Sequence, residues 1–474
     1  MVLNNMKYLS IISLLLLLSC AKEQIAPANQ KFAFLKYFGH VREQQASDMK
    51  PTADGGYILI GSSNSFSSGN FNDIYLVKTD TLGNEIWSKT FGDGASGFDE
   101  KGVAVVVLAN DEGYLIAGNR TTITLVNGEP TPGKTVIVLY KLDMDGVVVW
   151  QKELRPNEIP PQSALLRDRV RDIKQTPDGG FILIGETNDV NVTKNEYPTF
   201  RQYDTQDILV LKLDLDGNII WESVRGFVGE DFGSSVDYVN GDFVIIGTAE
   251  IKLGLNQNIP VFRKEVLAAK LKGSTGNEII YNNFGATDMM LNTSYAAFDT
   301  LTGYLTVVGH VLDLPLTLDP REGDLMVLQL TEDLIETRRV FYGKTSGGLS
   351  GISNNVSAGS IALVPSQIQG TNASFILTAT HNVGNGGAEC ILVKLNSDLS
   401  TDWSGQPRFF GRPGENGNWL PGNFARRVFP VLELVPGTDR KELKGYAFTA
   451  TFNTGTNTMM GLVKTNTQGT MTPE

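Results

Sequence analysis

Short apolar runs alternate with turns rich in Gly, Asp and Asn along nearly the whole chain, and the alternation recurs in fixed order. Gly55-Gly56-Tyr57-Ile58-Leu59-Ile60-Gly61 returns as Gly179-Gly180-Phe181-Ile182-Leu183-Ile184-Gly185. Asp73-Ile74-Tyr75-Leu76-Val77-Lys78, followed by Gly83-Asn84-Glu85-Ile86-Trp87, returns as Asp207-Ile208-Leu209-Val210-Leu211-Lys212, followed by Gly217-Asn218-Ile219-Ile220-Trp221. A repeat of this period sets architecture before any single residue is interpreted. Each unit holds four strand-like runs, A to D. Val, Ile, Tyr and Phe fill the runs, and tight-turn residues separate them. B runs such as Tyr57 to Ile60 and C runs such as Ile74 to Lys78 are apolar almost throughout. That pattern predicts strands covered on both faces.

The last unit reaches Gly461-Leu462-Val463-Lys464 and ends without a D run. An unpaired D run stands at the other end, where Lys31 to Gly39 resembles the segment ending Thr90-Phe91-Gly92. The economical solution is circular: the N-terminal strand completes the last unit and closes the ring. An open solenoid would need polar capping repeats, and none is visible. These repeats resemble seven-bladed β-propellers. More narrowly, they are similar to the Bacteroidota envelope proteins that carry D-G-G-Y-x-L-x-G followed by L-V-K-x-D-x-x-G-N-x-x-W. The resemblance implies an all-β fold of four-stranded antiparallel blades and an envelope location. It implies no particular activity. Unit four has Tyr281 in place of Trp, unit five lacks the Gly-Asn turn, and unit six weakens both motifs.

The first residues are read as targeting signal rather than structure. Lys7 precedes an apolar core through Leu18 that is too short for a permanent span, and Leu-Ser-Cys follows at 18–20. This resembles a lipobox, with Cys20 as the acylated mature N-terminus. The alternative is an ordinary secretory signal with an incidental cysteine. The organisation expected is therefore signal peptide 1–19, lipidated Cys and tether 20–30, and one propeller 31–474. Ala21 resembles outer-membrane sorting. Lys22-Glu23 loosely resembles surface-export signals, which leaves the side of the membrane open. Acyl chains on Cys20 would anchor the protein, at roughly 0.8 kcal/mol per buried methylene.

A net charge of −12 and a pI near 4.9 argue against nucleic acid, whose affinity comes mainly from Lys and Arg. They argue equally against electrostatic docking on anionic lipid. Cys390, in a C run, reads as buried filler. Asp143-Met144-Asp145-Gly146 and Asp214-Leu215-Asp216-Gly217 suggest calcium loops, but strand follows at once where a late bidentate carboxylate would be needed. They read as C–D hairpin turns with Gly at positive φ. The acid opening each C run (Asp73, Asp207, Glu265) and the Lys near its end (Lys78, Lys212, Lys270) recur together and read as structural. Trp87, Trp150 and Trp221 read as packing between outer strands. The three histidines, His40, His310 and His381, lie in different units without ligand spacing. Neither cofactor nor metal is implied.

Connection length distinguishes the two faces of the disc. A–B and C–D turns are tight, whereas B–C connections such as 119–134, 186–206, 248–264 and 310–323 are long, as are D–A connections 155–167, 344–360 and 412–424. Strand alternation puts both long sets on one face, where binding residues tend to collect. Tyr197, Phe200, Arg201, Tyr203, Phe262, Arg263, Arg412, Trp419 and Phe424 concentrate there, and aromatics with Arg are typical interface anchors. The expected function is a non-enzymatic, outer-membrane-anchored binding or scaffold propeller. Its loop-rich face would take an outer-membrane protein or a glycan. The alternative is a polysaccharide-active enzyme with two carboxylates near the central channel. Asp99, Asp168 and Asp231, which open successive A runs, are its candidates.

Overall fold

In the computed structural model, residues 32–471 are described apart from 68–70, 93–96, 110–111, 156–165, 189–205, 228, 257–258, 286–288, 313–322, 344–345, 353–354, 368–371, 385–386 and 412–421. Seven four-stranded antiparallel sheets form the blades of a propeller. The first blade runs Gln44–Pro51, Tyr57–Ser63, Asp73–Thr79 and Glu85–Phe91 as strands A to D. The A strands of the next five blades begin at Phe98, Arg169, Phe232, Met290 and Val356. The seventh blade takes Phe424–Leu434, Lys441–Asn453 and Thr458–Thr465 from the C-terminal end of the chain and Phe34–Phe38 from the N-terminal end. Phe34 pairs with Lys464 and Phe38 with Met460, antiparallel, so the ring is closed by its own two ends.

The apolar B and C runs form the buried middle of each blade. Every residue of Tyr57–Ser63 and of Asp73–Thr79 is buried, as in the equivalent strands Phe181–Thr187 and Asp207–Leu213. Core clusters lie between blades. One joins Leu115 and Leu139 of the second blade to Leu183 and Leu211 of the third. Cys390 is buried in strand C of the sixth blade, and burial pushes its thiol pKa upward.

The C–D turns are self-contained. Asp80 Oδ1 accepts the amides of Leu82 and Asn84 at 2.9 and 2.8 Å, and Asp214 Oδ1 those of Asp216 and Asn218 at 2.9 and 2.8 Å. Gly83, Gly146 and Gly217 adopt φ of 73°, 73° and 77°, the left-handed conformation these turns require. Trp87 of the first blade lies on Gly146 of the second, Trp150 on Gly217, and Trp221 on Gly276, with Trp221 Nε1 donating to the Gly273 carbonyl at 3.0 Å. Each Trp thus latches its blade to the next. Phe34 completes the circle against Gly83. Where the turn lacks Gly, Leu334 (φ 57°) and Leu399 (φ 62°) take the left-handed position. The latch there is polar: Asn282 donates to the Leu334 carbonyl at 2.9 Å, and the Tyr342 hydroxyl to that of Leu399.

The recurrent lysine does not pair with the acid that opens its own strand, because five residues of extended chain separate their ends. Lys78 instead meets Asp54 of the A–B turn at 2.6 Å, and Lys212 meets Asp178 at 2.9 Å. Two connections expected as loops are β-ribbons. In the second blade Tyr114–Val126 and Glu129–Leu142 pair out to Val126↔Glu129 around Asn127-Gly128. In the fourth, Asp242–Asn256 pairs with Ile259–Leu271.

Candidate functional site: the bulged channel wall and the loop-rich face

Every A strand carries a register shift where it lines the centre of the ring. The shifts fall between Ala46/Asp48, Gly102/Ala104, Val170/Asp172, Gly233/Ser235, Thr293/Tyr295, Ala358/Ile361 and Ala425/Val428. A bulge leaves one residue unpaired and re-aims its side chain. The unpaired residues are Ser47, Val103, Arg171, Ser234, Ser294, the Gly359-Ser360 pair and the Arg426-Arg427 pair, and all of them line one central cavity of ≈ 720 Å³. Because A strands begin at the D–A connections, these early residues place the cavity towards the face of the long connections.

Deeper in the channel lies a charged plug. Arg427 Nε meets Asp48 Oδ1 of the first blade at 2.7 Å, and its Nη2 lies 3.6 Å from Asp172 Oδ1 of the third. The guanidinium stacks over the Tyr295 ring of the fifth blade at 3.7 Å. Asp48 Oδ2 also holds Lys50 at 2.5 Å, and Lys174 holds Asp237 of the fourth blade at 2.6 Å. Burial alone would raise the Asp48 carboxyl, but Arg427 and Lys50 outweigh it and hold the pKa below its ordinary value. Burial raises the Tyr295 hydroxyl to about 12. These residues had a sequence signal. Asp48-Met49-Lys50 and Asp172-Ile173-Lys174 repeat an acid-apolar-base triplet, whose period of two puts both charges on one strand face.

The acids proposed for glycan hydrolysis are engaged within their own surroundings. Asp99 accepts from the Asn72 amide at 2.9 Å, Asp168 meets Arg155 at 2.6 Å, and Asp231 accepts from the Glu250 amide at 2.7 Å. None of them lines the central cavity. His381 meets Glu389 at 2.8 Å, His40 lies 4.9 Å from the Phe66 ring, and His310 faces the cavity. Burial pulls the His310 pKa from 6.5 to about 4, so the ring is neutral at pH 7.

The lipidation candidate Cys20 and, of the residues assigned to the binding face, Tyr197, Phe200, Arg201, Tyr203, Arg412 and Trp419 lie outside the described residues. Phe262 and Arg263 sit on the β-ribbon of the fourth blade, opposite Lys252 and Ile251. Arg263 is tied to Glu265, with Nε–Oε1 at 2.7 Å. Phe424 opens the A strand of the seventh blade, exposed, with the Arg426 guanidinium 5.8 Å from its ring. Phe424 therefore stands beside the cavity, and the ribbon pair belongs to the fourth blade.

Fold and channel together define a seven-bladed β-propeller closed by its own termini. No protein-family profile and no curated protein matches the chain. Among solved structures it is similar to BamB from Moraxella catarrhalis, at 10% identity and TM-score 0.34, over 91% of this chain and 100% of that one. It is similar to a putative 6-phosphogluconolactonase from Bacteroides uniformis, at 10% identity and TM-score 0.38, over 85% and 95%. It is also similar to an apocarotenoid oxygenase from Synechocystis, at 11% identity and TM-score 0.36, over 82% and 94%. Likeness of this degree does not select among the activities those names describe.

Proposed function

We propose that the protein is a non-enzymatic binding or scaffold propeller, held at the outer membrane by acylated Cys20, with 1–19 as signal peptide and 20–30 as tether. Its loop-rich face engages a membrane-protein partner or a glycan. One observation carries this reading: the ring of inward bulges opens its cavity towards the face that also bears the long connections. A rigid scaffold presenting irregular segments around a depression on one side is the usual form of a binding surface. The tight A–B and C–D turns of the opposite face spend their polar groups on their own backbone and on structural lysines. The hydrolytic alternative needs one carboxyl protonated and one ionised across a substrate. In the channel, Asp48 is instead held ionised by Arg427. Phe424, and with it Tyr197, Phe200, Arg201, Tyr203, Phe262, Arg263, Arg412 and Trp419, are the residues assigned to contact the partner.

The test is a pull-down of the tagged full-length protein from detergent-solubilised outer membrane, run beside Cys20→Ser and beside a glycan-binding panel. Repeated recovery of one membrane protein, or retention by one glycan, together with loss of membrane fractionation in Cys20→Ser, is the expected result. Release of sugar from a glycan without stable retention would overturn it.

A further inference from the structure

We infer that the bulge-lined cavity is a binding site for a small oxyanion, a phosphate or carboxylate group carried on a hydroxyl-bearing molecule. The chain as a whole is acidic, with net charge −12. Its central cavity is the opposite: Lys101, Arg171, Lys264, Arg426 and Arg427 line it, and no Asp or Glu does among the described residues. Some of that charge is already answered. Arg171 is held by buried Glu186 through two contacts of 2.9 Å, and Arg427 by Asp48. Glu186 also serves Arg169 at 3.4 Å, so the cluster around it retains positive charge.

Two guanidinium donors remain uncommitted among the described residues. Arg426 forms no ion pair among the described residues: its carbonyl accepts from Ser360 and Thr378, and its guanidinium lies against the Phe424 ring. Arg427 is only 8% exposed, and its buried Nη1 has no hydrogen-bond partner there. A buried donor left unmade is costly, and a guanidinium edge is suited to a planar or tetrahedral oxyanion. Desolvation by the channel wall draws the Arg426 pKa downward although the residue is exposed to the cavity, and neighbouring Arg171 adds to that, a repulsion which an anion between them would relieve.

Size and lining extend the assignment beyond a bare ion. A cavity of ≈ 720 Å³ falls among small-molecule sites. Ser47, Ser234, Ser294, Ser357 and Asn292 supply hydroxyl and amide groups for a ligand's own hydroxyls. The site is built from the channel wall, so it stands whether or not the outer face has a macromolecular partner.

Isothermal titration of the full-length protein in detergent with inorganic phosphate, galacturonate and glucose tests this. At least one of the two anions is expected to bind at sub-millimolar to millimolar concentration, and the tighter of the two identifies the oxyanion. Glucose is expected not to bind. Arg426→Gln should weaken binding at least tenfold, Arg426→Lys should restore only part of it because an ammonium keeps the charge but not the planar fork, and Lys272→Gln on an exposed turn should change nothing. Absence of anion binding in the wild type, or binding equally strong in Arg426→Gln at unchanged melting temperature, would overturn the assignment.

Discussion

Arg427 of the seventh blade holds Asp48 of the first at 2.7 Å, so the two blades beside the ring closure are pinned through the channel as well as by the N-terminal strand. Asp48 is fully buried and also accepts the Val105 amide of the second blade at 3.2 Å. One carboxylate therefore ties three consecutive blades. Arg427→Met would leave Asp48 buried without its main partner. A loss of about 3–5 kcal/mol is expected, read from denaturant midpoints. Asp48→Asn with Arg427→Met together should cost less than Arg427→Met alone. The sign of the pH effect follows from the lowered Asp48 pKa. Its stabilisation is present above the ordinary carboxyl value and is lost as pH falls through the folded one. Asp48→Asn should accordingly shrink the acid-induced loss of stability below about pH 4. An unchanged acid limb would remove Asp48 from that role.

The Trp latches give a second expectation. A Cβ on Gly217 would stand 2.8 Å from Trp150 Cη2, and φ there is +77°. Gly217→Ala meets both a steric and a backbone penalty, and about 1–3 kcal/mol of destabilisation is expected. Gly179→Ala, at φ +83° with nothing within 4 Å of the added carbon, meets only the backbone penalty and should cost less. Thermal melts of the two variants separate the latch from the turn. Equal losses would show that the Trp contact adds nothing.

The repeat made blade count and closure legible because both depend on local pattern. Apolar B and C runs mark the blade centres, and the stray D run around Phe34 pairs with the strand edge at Val463. The channel was less legible. Bulges such as those at Ser47 and Arg171 have no short-range signature, since an extra residue in a strand looks like any other until its partner is placed. The ribbon of the second blade could have been read: Asn127-Gly128 is a type I′ hairpin pair between β-prone flanks. Pro130 and Pro132 disguise it, and both are tolerated because this strand end extends past the blade. The face residues at 189–205 and 412–421 rest on composition alone.

Closure by the N-terminal strand makes a third expectation. Phe34–Phe38 covers the outer edge of Thr458–Thr465 and seats Phe34 on Gly83. Leu35→Pro removes a backbone donor from this short strand and bars a regular ladder. The uncovered edge should then pair with other chains. Size-exclusion chromatography is expected to show concentration-dependent oligomers, and limited proteolysis should cut first near the N-terminus. A monomer with the wild-type cleavage pattern would contradict closure by this strand.

His310 supplies the fourth. It lines the cavity, its Nδ1 is buried without a hydrogen-bond partner among the described residues, and burial lowers its pKa from 6.5 to about 4. Between those values the unfolded chain binds a proton that the folded chain refuses, so stability rises with pH across the window. The contribution is complete above pH 6.5 and is lost as pH falls towards 4, amounting to at most about 3 kcal/mol. His310→Gln cannot titrate. Its unfolding free energy should therefore fall less than that of the wild type between pH 7 and pH 4.5, by about 2 kcal/mol from the same linkage. Urea titrations at both pH values measure the difference directly. Parallel losses in the two proteins would mean that His310 is protonated as readily in the folded ring as in the unfolded chain.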